Sequence, residues 1–177
     1  MRSKTVFKMI NVFIVVLLLF TGIMNGSTSR VLAQTGDVYA TAVPSAGSLN
    51  VGEQVTVSIQ IDMSDVDPPD NALGSFTSTL SWDPTILSYY ENSGLLEGFT
   101  GAINTGSVGS GLITFNGANS SGATGGMQVL IITFDVILPG TTALDLEFSA
   151  MSAAGSFNSL LGILNTVSYT HLTLPTN

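Results

Sequence analysis

The chain has 177 residues, of which 9% are charged and 45% are hydrophobic, whereas about 25% of the residues in an average soluble protein are charged. Its four basic residues all lie within the first thirty positions, so residues 31–177 carry twelve acids and no lysine or arginine, a formal charge of 0 − 12 = −12. Nucleic-acid binding needs clustered basic side chains and is therefore excluded. The absence of cysteine excludes disulfides and thiolate sites.

Residues 1–33 have the features of a signal peptide. A basic start precedes the almost wholly apolar stretch Met9–Phe20, and Val31-Leu32-Ala33 supplies the residues that a signal peptidase needs, so we place cleavage after Ala33. The apolar stretch is shorter than the roughly 20 residues that cross a bilayer. An uncleaved N-terminal anchor is the alternative. Both interpretations predict a secreted, extracellular domain, free or attached to the cell surface.

Residues 34–166 predict a single domain built of β-strands. Apolar and polar residues alternate in Val55–Ile61 and in Phe76–Trp82, which is typical of strands with one buried face. Turn-forming segments separate the candidate strands, the longest being the Gly/Ser-rich stretch 116–126. This pattern predicts an all-β fold, an antiparallel β-sandwich. The other candidate strands are Asp37–Val43, Leu112–Asn116, Val129–Ile137 and Ala143–Phe148.

The C-terminal residues 167–177 resemble a translated sequencing adapter. Reading GTC TCT TAT ACA CAT CTG ACG CTG CCG ACG, a transposon-end adapter, in frame gives the ten residues Val167–Thr176 in order. We therefore expect the natural protein to depart from this sequence after Thr166. The one histidine of the chain, His171, lies in this tail and supports no catalytic argument.

Several segments, taken in order, resemble the motifs of one known family. Leu49–Val57 resembles the Val-Gly-acid turn that leads into the second cohesin strand. Ala72–Pro84 ends in Trp82-Asp83-Pro84, similar to the aromatic-Asp-Pro turn of the family, and the short apolar segment Ile86–Ser88 follows it. Gly126–Val136 resembles the long central strand, with Pro139-Gly140 as its turn. The resemblance spans residues 38–160.

This resemblance implies a jelly-roll sandwich of about nine strands. It also implies a non-catalytic module that binds a dockerin-type partner in the assembly of extracellular polysaccharide-degrading complexes such as cellulosomes. The last cohesin strand pairs near the first, and here the sequence enters the adapter-like tail after Leu160–Thr166. We therefore expect a truncated last strand and an unpaired sandwich edge, which favours aggregation. The alternating residues of the tail could substitute for that strand.

The resemblance also indicates where the partner binds. Aligned on Trp82-Asp83-Pro84, the outward positions that contact dockerin in cohesins correspond to Ser75 and Thr77, with Asn116 and Asn119 as further candidates. Hydroxyl and amide groups suit the polar part of an interface, and a solvated sheet face without a partner is the alternative. Without basic residues, the domain could form ion pairs only with lysine or arginine of the partner.

Two functions of other classes remain open. A carbohydrate-binding module would stack sugars on Tyr89 and Tyr90, which as neighbours in a strand point to opposite faces, so that one is exposed. Trp82 shares a face with Phe76 and Leu80, which places it in the core. The other function is that of a structural spacer in a cell-surface adhesin. Glycoside hydrolysis needs two facing carboxylates, and because the domain offers no His, Arg or Lys beside them, we expect no enzyme.

The acidic segment between residues 62 and 70 suggests calcium. An EF-hand loop needs Gly at its sixth position and Glu at its twelfth, but counting from Asp65 these positions are Asp70 and Phe76. A looser loop site at Asp65, Asp67 and Asp70 is one interpretation. Solvated acids in a proline-containing turn are the interpretation that we favour, so we expect no metal and no cofactor in the domain itself.

Overall fold

The structure is a computed structural model that describes residues 36–174, with side chains described as far as Ser168. The signal-peptide prediction falls on residues outside this range. The described residues contain two short 3-10 helices, Val108–Ser110 and Leu161–Ile163, neither of which is long and apolar enough to cross a membrane. They also contain ten strands: β1 (Val38–Pro44), β2 (Gln54–Asp62), β3 (Leu73–Ser81), β4 (Leu87–Asn92), β5 (Thr100–Asn104), β6 (Leu112–Ala123), β7 (Gly126–Val136), β8 (Gly140–Ala153), β9 (Leu164–Val167) and β10 (Tyr169–Leu174).

The strands form two five-stranded sheets that pack face to face. The first sheet has the order β4-β7-β2-β1-β9 and the second the order β10-β8-β3-β6-β5. Every pair of neighbouring strands is antiparallel except β1 and β9, which are parallel. The predicted all-β antiparallel sandwich with jelly-roll topology is confirmed.

Alternating side chains of both sheets fill the space between them. Along β2 every second residue is buried, from Val55 to Ile61, as the sequence pattern predicts. Trp82 is buried, its ring packs edge-on against Phe134 at a centroid distance of 4.8 Å, and its Nε1 donates a hydrogen bond to the carbonyl oxygen of Leu87 at 2.9 Å. The prediction that Trp82 belongs to the core is therefore confirmed.

The strands of the second sheet extend further than the sequence pattern predicted. β6 continues through most of the Gly/Ser-rich stretch 116–126, which was expected to be a turn, and β5 was not predicted at all. Gly117 explains the first difference, because a Cβ atom there would lie 2.8 Å from the ring of Phe76. Small residues in β6 make room for buried rings instead of breaking the strand.

The C-terminal residues pair with both sheets, which differs from the unpaired sandwich edge that the sequence predicts. β9 pairs with β1 from Val38 opposite Leu164 to Thr41 opposite Val167, so the last strand is present as a short segment and that edge is partly covered. The tail does not continue along β1: after Ser168 it forms β10, which pairs with β8 of the other sheet. The expectation of an unpaired edge at β1 is thus wrong, because residues 164–167 form the strand that pairs there. The tail has an alternating, strand-forming composition, but it pairs with β8 and does not substitute for the last strand beside β1.

Candidate protein-binding face

The second sheet presents a polar outer face centred on β3. Phe76, Ser78 and Leu80 point into the sandwich, so the residues between them point outward. In the ladder with β6, Thr77 lies opposite Asn116 and Ser75 opposite Ala118. The structure therefore brings Ser75, Thr77 and Asn116 together. We call this surface the β3 face, and its members on β5, β6, β3 and β8 are Thr100, Ala102, Asn104, Thr114, Asn116, Ala118, Ser75, Thr77, Thr79, Ser81, Asp145, Glu147, Ala150 and Ser152.

Asn119, the fourth predicted residue, is not part of this surface. It follows the exposed Ala118, so its side chain lies on the opposite side of β6. There its Nδ2 donates a hydrogen bond to the carbonyl oxygen of Glu97 at 3.2 Å, and its Oδ1 accepts one from the backbone nitrogen of Ser121 at 3.0 Å. Asn119 thus fixes the loop before β5.

The β3 face carries only negative charge. Its centre consists of small hydroxyl, amide and methyl side chains, and the Oγ atoms of Ser75 and Ser152 are 2.8 Å apart and share a hydrogen bond. Asp145 and Glu147 are exposed on β8, opposite Ser81 and Thr79 at the end of β3. Such a face offers donors and acceptors across its centre and carboxylates at one end.

An exposed aromatic residue lies beyond the other end of this face. β8 ends in a hairpin closed by the bridge between Ser152 and Ser159, and Phe157 in that hairpin is 81% exposed with a φ of 59°. The left-handed conformation is uncommon for a bulky residue. The exposure of Phe157 could not be predicted from the sequence, because the residues around it show no alternation of apolar and polar side chains.

Asp70 holds this hairpin in place. Its side chain is buried, and its carboxylate accepts hydrogen bonds from Ser156 Oγ and from Asn158 Nδ2. The interpretation of Asp70 as a solvated turn residue is wrong, because these donors replace water around the carboxylate. Within residues 36–174, no group of three or more His, Cys, Asp or Glu side chains is arranged to hold a metal ion. Asp65 and Asp67 are exposed.

Tyr89 and Tyr90 differ in exposure, and the register of β4 against β7 shifts between Tyr89 and Glu91. Tyr90 is 56% exposed. Tyr89 is half-buried against the core, and its hydroxyl accepts a hydrogen bond from Asn92 Nδ2 at 2.6 Å. One of the two tyrosines is thus exposed, as predicted.

The chain has the fold of cohesins. It is similar to a non-cellulosomal cohesin of Archaeoglobus fulgidus (TM-score 0.60, 18% identity, covering 79% of this chain and 92% of that one). It also resembles the seventh ScaB type I cohesin of Pseudobacteroides cellulosolvens (0.58, 16%, 80% and 94%) and the OlpA cohesin of Clostridium thermocellum, solved as a type I cohesin–dockerin complex (0.56, 14%, 76% and 95%). No sequence model of a protein family matches the chain, and no curated protein matches it.

Proposed function

We propose that this chain is a secreted, non-catalytic interaction module that binds a dockerin-type partner through the β3 face. The observation that carries the proposal is the register of β3, β6 and β8, which gathers Ser75, Thr77 and Asn116 on one polar surface. The cohesin fold supports it, because similar domains have been solved in cohesin–dockerin complexes.

The chemistry of the face suits a partner that approaches closely. Small side chains at its centre let the partner's backbone come near, and their hydroxyl and amide groups satisfy polar groups that lose water on binding. Phe157 beyond one end supplies an exposed aromatic anchor, the residue type that contributes most to many interfaces. Asp145 and Glu147 near the other end attract basic residues and speed the encounter.

The biological setting is proposed on the same basis. A signal peptide in residues 1–33 would export the chain, and a dockerin-type partner would carry a polysaccharide-degrading enzyme to it. We retain the proposal that residues 167–177 derive from a sequencing adapter and that the natural protein differs after Thr166. A long sequencing read across that codon in the source DNA tests this directly: a different continuation supports the proposal, and a genomic read that reproduces the tail refutes it.

Calorimetric titration of the full chain with a panel of calcium-loaded dockerins tests the function. We expect binding by at least one of them, lost when a chelator removes the calcium around which dockerins fold. Thr77→Lys should weaken the affinity at least about tenfold, or 1.4 kcal/mol, without lowering the unfolding temperature. A chain that is folded but binds no dockerin would contradict the proposal.

Thr133→Lys is the matched control for Thr77→Lys. Thr133 is also a half-buried, outward-facing threonine in the middle of a strand, but it lies on β7 of the first sheet. Its substitution should leave the affinity unchanged. Equal effects of the two substitutions would show that charge alone, and not contact at the β3 face, controls binding.

A further inference from the structure

A groove of about 400 Å³ lies on the first sheet where β1, β2 and β7 run side by side. The ladders set its side chains in two rows. Tyr39 lies opposite Asp62, which lies opposite Gly126, and Thr41 lies opposite Gln60, which lies opposite Gln128. Glu97 from the loop before β5 also lines the groove. The groove is separate from the β3 face, which belongs to the other sheet.

Gly126, the first residue of β7, lines the groove without a side chain. A Cβ atom on Gly126 would have only the carboxylate of Asp62 near it, at 3.9 Å, so the backbone tolerates a side chain there but the space is left empty. Glu97 is held beside this space through its carbonyl oxygen, which accepts the hydrogen bond from Asn119 Nδ2. Ser58 Oγ donates to Gln128 Oε1, which fixes that amide with its Nε2 available as a donor.

The groove is lined by one aromatic ring, by hydrogen-bond donors and by hydrogen-bond acceptors. Tyr39 is 41% exposed, and its ring offers an apolar surface. Gln60 and Gln128 supply amide donors, and Asp62 and Glu97 supply carboxylate acceptors. A pyranose ring matches this set, because its C–H face packs on an aromatic ring while each hydroxyl both donates and accepts. Ligand sites of this kind combine an apolar surface with a few polar groups that fix orientation.

The local charge restricts the ligand further. The carboxylates of Asp37 and, more weakly, Asp65 raise the pKa of the Tyr39 hydroxyl, as does partial burial. No lysine or arginine occurs after residue 30, so the groove would repel uronate or sulfate groups. We propose that this groove binds a neutral polysaccharide chain, with a sugar ring stacked on Tyr39, on the side of the domain opposite the partner-binding face.

Native gel electrophoresis of the full chain in hydroxyethylcellulose, xylan, galactomannan and polygalacturonate tests the proposal. We expect retardation in at least one of the three neutral polymers, unchanged in 0.5 M NaCl, and none in polygalacturonate. Tyr39→Ala should abolish the retardation. No retardation in any neutral polymer would overturn the proposal, as would binding of polylysine alone, lost in salt, which would mark the groove as a site for basic peptides.

Two further variants separate loss of the site from loss of the fold. Gly126→Leu should abolish retardation by filling the groove, with an unchanged circular dichroism spectrum. Tyr90→Ala removes the more exposed tyrosine of β4 in the same sheet, outside the groove, and should leave retardation intact. Loss of retardation in Tyr90→Ala but not in Tyr39→Ala would overturn the proposal. Thr77→Lys should leave it unchanged, so failure of dockerin binding and failure of sugar binding are distinguishable.

Discussion

Asn158 Nδ2 donates hydrogen bonds to both carboxylate oxygens of Asp70, at 3.0 and 3.1 Å, across 88 positions of sequence. Ser156 Oγ donates a further bond to the same carboxylate. Asp70 is 6% exposed, and a buried carboxylate is tolerated only where hydrogen-bond donors replace its water. These two residues thus connect the loop before β3 to the hairpin after β8, and their contact fixes the position of Phe157.

Removing the donor should destabilise the whole domain. Asn158→Ala removes the two hydrogen bonds from Nδ2 to the buried Asp70 carboxylate, and we expect the free energy of unfolding to fall by about 1–3 kcal/mol. Urea unfolding followed by the fluorescence of the single tryptophan measures it. Asp65→Ala removes an exposed carboxylate nearby and should change stability by less than about 0.5 kcal/mol. Equal effects of the two variants would show that the Asp70 contact contributes nothing.

Phe157→Ala should separate binding from stability. Because the side chain is 81% exposed, its removal costs little buried area, and we expect the unfolding temperature to stay within error of the parent. If Phe157 anchors a dockerin-type partner, the affinity should fall at least about tenfold, which corresponds to 1.4 kcal/mol. Calorimetric titration measures the affinity of the variant and of the parent for the partner. Tyr90→Ala, the removal of an exposed ring from the first sheet, should leave that affinity unaltered.

Gly111 should tolerate no side chain. Its φ is +73°, and a Cβ atom there would lie 2.2 Å from the carbonyl oxygen of Trp82. Gly111→Ala therefore combines about 1–2 kcal/mol for a left-handed residue with about 1–3 kcal/mol for overpacking. Gly109→Ala is the matched control, because a Cβ atom on Gly109 would meet no atom within 4 Å. Thermal unfolding of the two proteins at equal concentration should place Gly111→Ala well below Gly109→Ala.

Acid should weaken the turn after β3. Hydrogen bonds from the side chain and the backbone nitrogen of Thr85 lower the pKa of Asp83 from its ordinary value of 3.8. A lowered carboxyl pKa stabilises the folded state above pH 3.8, and this contribution is lost as the pH falls through the folded-state pKa. Thr85→Val should therefore lower the unfolding temperature more at pH 7 than at pH 2. A difference that is the same at both pH values would contradict the assignment to Asp83.

The sequence pattern predicted the strands that bury large side chains and not those that pack through small ones. β2 and β3 alternate apolar and polar residues, so their buried faces could be predicted directly. β5 has only Ile103 as a large apolar side chain, and its Gly101 passes so close to Asn116 that a Cβ atom would lie 2.0 Å from the carbonyl oxygen. Such a close approach depends on the neighbouring strand and has no local signature.

Of the two candidate surfaces, the β3 face could be predicted from the sequence and the Tyr39 groove could not. Ser75 and Thr77 could be placed from the alternation of β3 and the resemblance to cohesins, and their position opposite β6 followed from the strand order. The Tyr39 groove depends on which residues of β2 and β7 lie opposite each other, and a shift of register between Ile59 and Gln60 sets that pairing. An irregular register of this kind arises from tertiary packing and cannot be predicted from a single sequence.

The parallel pairing of β1 and β9 has a consequence for the order of folding. Val38 pairs with Leu164, 126 residues later, so a chain synthesised from its N-terminus leaves one side of β1 unpaired until residue 164 has been added. Pairings between such distant segments close large loops and place β-sandwiches among the slow folders, at milliseconds to seconds. During that interval the edge of β1 is available to chaperones or to another unfinished chain.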